Sequence, residues 1–183
     1  MATDAQKRKK PIVVFDATRH RLEYKFEYNP EETKALRKLM SGNESVTISD
    51  LRRVALWKLD RVLSVPESVL QRLQKLVNTK LLRIDSCESK KILSELVACS
   101  GVGFPMASAF LKFLRPDVFP IIDVRAYRAL FGRKLSSASY KLDLYLEYAA
   151  KVEELAKSTG LQLHEVDEQL YRFDQEHNGG IDS

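Results

Sequence analysis

The chain has 183 residues but only two cysteines, Cys87 and Cys99, which stand far from any C-x-x-C spacing. That scarcity argues against a disulfide scaffold, a four-cysteine zinc site and a cysteine-ligated iron–sulfur cluster. Histidine is scarce too: His20, His164 and His177 are scattered and form no metal-ligand pattern. Neither a metal nor any other cofactor is expected. No apolar run approaches the roughly 18 residues of a membrane span. The first ten residues, MATDAQKRKK, carry basic side chains but no apolar stretch, so a secretory leader is not expected. These absences lead to the expectation of an intracellular protein, cytoplasmic, nucleoid-bound or nuclear, in a reducing compartment.

What is present is an ordinary globular balance, 44% hydrophobic and 30% charged residues. The length suffices to bury a core without disulfide or metal staples, in one domain or two small lobes sharing a cleft. The net charge of +5 is unevenly spread. Residues 1–91 carry 20 Lys and Arg against 12 Asp and Glu, residues 92–134 carry 6 against 3, and residues 135–183 carry 4 against 10. A basic body with an acidic tail suits a polyanion on one face, although an unevenly charged solvated surface would look the same.

Residues 1–10 read as a disordered basic tail, and 11–183 as a single helical domain of two lobes. Ile12 to Phe15 form a β-prone run, and Leu22, Tyr24, Phe26 and Tyr28 alternate with charged residues, the pattern of a small β-hairpin. From Asn29 onward the periodicity is helical, so the fold class is all-α with a possible N-terminal β element. Asn29-Pro30-Glu31-Glu32 opens the first helix, which ends near Ser41–Asn43. The second starts around Ser49 and is expected to bury Leu51, Val54, Ala55, Leu59 and Val62. Pro66-Glu67 opens a third, with Val69, Leu70, Leu73, Leu76 and Val77 inward. Asp85 with Glu88 resembles a capping box for a fourth, which buries Leu93, Leu96 and Val97 and stops at Gly101. Further helices are expected over about 104–115, from Asp123 to Gly132, over about 139–158, and over about 162–177 with Leu163, Val166, Leu170 and Phe173 inward.

Residues 96–111, LVACSGVGFPMASAFL, place Gly101-Val102-Gly103 between two short helices. Two glycines permit backbone conformations barred to other residues and let another backbone approach. Val102 can plug into the helix pair, leaving the hairpin amides and the next helix's N-terminus outward as an anion site suited to a phosphate. A plain helix–helix turn is the other reading of these residues.

This segment resembles the helix-hairpin-helix motif, and its continuation is similar to the superfamily of DNA glycosylases named after that motif. The resemblance rests on the hairpin, on the 20 residues from Gly103 to Asp123, and on the arginines that follow, and it covers residues 89–132. Glu165-Val166-Asp167 and Tyr171 resemble the family's closing helix more weakly. The resemblance implies a DNA N-glycosylase that acts on double-stranded DNA, flips a damaged or modified base and hydrolyses its glycosidic bond. The hairpin and catalytic region then fall in residues 86–132. Asp123 would be the catalytic carboxylate, stabilising the oxocarbenium-like transition state and orienting water. It would equally serve as the N-cap of its helix. Gly101, Val102 and Gly103 would clamp phosphate, and Arg125 and Arg128 would bind phosphate or pair with acidic neighbours. Strand-cleaving members carry a lysine two residues after the second glycine, where this chain has Pro105, which cannot form a Schiff base. A monofunctional enzyme is therefore implied.

Arg53, Trp57 and Arg61 form an i, i+4, i+8 row. Trp57 would stack on a flipped base, with Lys58 and Arg61 on DNA beside it, or else would pack at a lobe interface. The rival to an enzyme is a non-catalytic helix-hairpin-helix module that holds DNA within a repair or defence complex.

Overall fold

The computed structural model describes residues 29–42 and 46–181, and the basic tail and β-hairpin expected over residues 1–28 lie outside these. The described residues are all-α, with no strand among them. Helices α1 (Pro30–Gly42) and α2 (Ile48–Lys58) belong to one compact unit, residues 1–58. The second unit, residues 59–183, holds α3 (Glu67–Val77), α4 (Cys87–Val97), α5 (Phe104–Leu114), α6 (Val124–Phe131), α7 (Leu142–Thr159) and α8 (Leu163–His177).

In the first unit α2, expected to start around Ser49, starts at Ile48 with Thr47 as its cap. Its hydroxyl accepts from the Asp50 amide at 3.3 Å while Asp50 Oδ2 accepts from the Thr47 amide at 2.9 Å, a reciprocal capping box. The face of α2 turned to α1 is the polar-aromatic row. Trp57 Nε1 donates to Thr33 Oγ1 at 2.9 Å, and Arg53 pairs with both carboxylate oxygens of Glu32 at 2.5 and 2.8 Å. The apolar set expected inside is not: no residue of α2 is buried, and Leu51 and Leu59 are more than half exposed. Helical spacing marks an apolar stripe without saying what covers it.

The second unit has the larger core, with Leu76, Ile92, Leu93, Leu96, Ala107, Leu111, Phe119, Ile122, Tyr145, Tyr148 and Val152 fully buried. α3 turns Val69 and Leu76 inward, whereas Leu70 and Val77 are 41% and 45% exposed, a narrower stripe than expected. The cap of α4 is Ser86 rather than Asp85: its hydroxyl accepts from the Ser89 amide at 3.2 Å, and Asp85 instead pairs with Arg83. α5 starts at the hairpin glycines, with Pro105 in its first turn. Arg115, at its C-terminal end, donates to the carbonyls of Leu76 and Thr79 at 3.1 and 2.7 Å and so ties α5 to the end of α3. α8 opens with a Gln162/Glu165 capping box and packs on α6 and α7. Its inward residues include two acids, Asp167 and Asp174, while Phe173 is about half exposed.

Candidate functional site

The hairpin is built as a plug. Val102 is buried, its amide donates to Cys99 O at 3.1 Å, and the Ser100 carbonyl accepts from Ser64 at 3.2 Å. The two glycines differ. Gly101 has φ +80, and a Cβ there would lie 2.7 Å from the Val62 carbonyl oxygen. Only glycine fits. Gly103 has φ −88 and caps α5, and a Cβ on it would meet nothing closer than Pro105 Cδ at 3.9 Å. The first turn of α5 carries orphan amides, as every helix start does, and these give it a weak preference for anions.

Asp123 caps α6. Its Oδ1 accepts from the Arg125 amide at 2.7 Å, so the cap reading holds for one carboxylate oxygen. Asp123 also lines a concave pocket of about 350 Å³, shared with Lys112, Ile121, Asp167, Glu168, Tyr171 and Arg172. Partial burial, with the charge of Asp123 adding to it, holds the Tyr140 phenol above its ordinary range.

Arg125 and Arg128 are spent within the fold. Arg128 makes two hydrogen bonds of 2.8 Å to the buried Asp174, Arg125 reaches the same carboxylate at 3.2 Å, and both donate to carbonyls of the Gly179–Gly180 turn. Hydrogen bonds from Arg128 pull the Asp174 carboxyl down to about 2, with Asn178 and Arg125 adding to the pull against burial. Of the two roles open to these arginines, the pairing one is occupied. Trp57 and Lys58 lie in the first unit and Arg61 in the second, and Arg61 is not among the residues that line the pocket at Asp123. Trp57 is held on α1 by Thr33, while Lys58 and Arg61 are exposed.

No protein-family model, no curated protein and no solved structure matches this chain.

The pocket's aromatic residue is Tyr171, with the Arg125 guanidinium 5.8 Å from its ring centroid. Sequence reasoning named Trp57 for the flat surface because it stands between Arg53 and Arg61 in an i, i+4, i+8 row; Tyr171 was noted only as a weak likeness. Lys112 was missed altogether. Its neighbours on α5 are apolar, so a lysine nearly fully buried there reads, from sequence, as an exposed one. Among the described residues no group of three His, Cys, Asp or Glu side chains is gathered to hold a metal ion. No described helix is long and apolar enough to cross a membrane.

Proposed function

We propose that this chain binds double-stranded DNA through the 101–103 hairpin and hydrolyses the N-glycosidic bond of a base received near Asp123. The observation that carries the reading is the combination of a glycine-bound hairpin at the head of α5 with a carboxylate lining a pocket at the head of α6. Hydrolysis of the bond leaves an abasic site: water adds to C1′ of the sugar, the base departs with the bonding electrons, and a proton from water restores its neutrality. Asp123 would stabilise the cationic sugar and orient the water through the oxygen not used in capping. Tyr171 offers a flat face to the base.

The test is Asp123→Asn, which keeps the shape and the cap but loses the charge. DNA binding should hold while turnover on a panel of damaged duplexes falls roughly a hundredfold or more. Strand breaks should appear only after alkali, and borohydride should trap no protein–DNA adduct. An unchanged rate would place the chemistry elsewhere.

One observation favours a second reading, the non-catalytic DNA-holding module. Asp123 is already occupied at 2.7 Å as a helix cap, a sufficient reason for an aspartate there. On that reading the wild-type protein binds duplex and excises nothing from any member of the panel.

A further inference from the structure

The segment 119–122 joins α5 to α6 and belongs to no helix, yet Phe119 and Ile122 are fully buried. Buried backbone groups require partners. Here side chains from three helices supply them. Tyr145 Oη donates to the Pro120 carbonyl at 2.9 Å and Tyr148 Oη to the Ile121 carbonyl at 2.8 Å. Burial pushes both phenols well above their ordinary range, so both stay protonated as donors. The Ile122 amide donates to Ser108 Oγ at 3.2 Å and the Ile121 amide to Asp167 Oδ2 at 2.5 Å. Asp167 Oδ1 in turn accepts from Lys112 Nζ at 2.6 Å, and Lys112 also reaches Glu168 at 2.8 Å.

Lys112 and Asp167 are 5% and 3% exposed. A buried ion pair adds little net stability over apolar residues of the same size, because desolvating two charges offsets their attraction. What it does add is direction: a lysine fixed by two carboxylates leaves Asp167 one orientation, and that orientation holds one amide. The amide belongs to Ile121, two residues before Asp123.

We infer that Lys112 and Asp167 are positioning residues, which set the register of segment 119–122 through the Ile121 amide and thereby place the Asp123 carboxylate in its pocket. The inference rests on the proposed function for its activity readout alone. It makes the acidic, buried face of α8 part of the site's support, and it explains why α5 spends a lysine on its inner side.

The experiment replaces the pair by apolar residues of similar size, Lys112→Met with Asp167→Leu, and sets this beside Leu93→Ala, a core truncation on α4. Hydrogen exchange of the Arg125 amide reports how firmly the Asp123 cap is held. In the double variant that exchange should accelerate at least tenfold beyond the Leu93→Ala value, with the excision rate down about tenfold. Asp167→Asn, which keeps an acceptor for Ile121, should restore most of the protection. Equal exchange in the double variant and in Leu93→Ala, or none of the expected rise, overturns the inference. If the double variant does not fold, Lys112→Gln, which removes the charged anchor of Asp167 and leaves the other bonds to the segment in place, is read the same way. A wild-type protein that excises nothing removes the glycosylase reading, and the exchange result still decides the positioning role.

Discussion

Single residues in this protein carry unequal burdens despite similar chemistry. Gly101 and Gly103 look equivalent in the sequence, yet one is imposed by a left-handed backbone pressed against the Val62 carbonyl and the other is not. Gly101→Ala should therefore cost about 1–3 kcal/mol of stability, the range for a strained backbone, whereas Gly103→Ala should melt close to wild type. Thermal melts of the two variants check this. Asp174 is a second such residue. Its carboxyl lies at about 2 in the folded chain, below the ordinary 3.8, so it contributes stability that is fully present above pH 4 and is lost as pH falls through 2. Because both arginines keep some solvent access, the contribution is about 1–2 kcal/mol. Asp174→Asn should lower the melting temperature at pH 7 and flatten the loss of stability between pH 4 and pH 2, measured by calorimetry across that range. An acid limb as steep as that of the wild type would show that another carboxylate governs it.

Among the elements, α2 and α8 depart most from what their patterns suggest. α2 has apolar residues at helical spacing, but the face it turns to α1 is built from its own Arg53 and Trp57, which bond to Glu32 and Thr33. Trp57→Ala should thus loosen the α1–α2 pair, costing about 2–3 kcal/mol for a partly buried indole, and should leave the core of the second unit protected. Hydrogen exchange resolved by residue distinguishes that outcome from a loss spread over all helices. α8 hides two acids, Asp167 and Asp174, where an amphipathic pattern promises leucines. Each has found a basic partner on another helix, Lys112 on α5 and the two arginines on α6. Tyr171 sits between these acids on the same helix, at the pocket. Tyr171→Ala should weaken binding to damaged duplex by about 1–3 kcal/mol, the usual worth of base stacking, with little change for intact duplex. Equal weakening of both, by fluorescence anisotropy, would remove the stacking role.

At the scale of the whole molecule, charge is the property that bears on a partner. The excess of Lys and Arg in residues 1–91 and of Asp and Glu in residues 135–183 gives the chain a basic and an acidic part. Two acids of the last helix are turned inside: Asp167 and Asp174 neutralise buried or partly buried cations rather than facing solvent. Duplex binding should accordingly weaken steeply with salt, as displaced counterions return to the phosphates. A titration repeated at several salt concentrations checks this, and affinity independent of salt would retire the nucleic-acid reading.

The all-α class and the places where most helices begin and end were legible in the sequence, because they depend on local chemistry. Pro30, Asp123, Gly132 and Gly160 act on the residues beside them, and their effects reach no further than a turn. The hairpin was legible for the same reason. The cap of α4 was misplaced by one residue because Asp85 and Ser86 are both good caps by type, and it is Ser86 whose extended backbone brings its hydroxyl to the Ser89 amide. Which apolar stripes are covered, which arginines are engaged and that Tyr171 shares a pocket with Asp123 were decided by tertiary structure alone. Each depends on groups tens of residues apart, such as Arg128 with Asp174 and Ile121 with Asp167, and no local pattern encodes a partner at that distance. Lys112 is the sharpest case: its charge is tolerated inside only because α8 brings two carboxylates to it, and that meeting exists only in the folded chain.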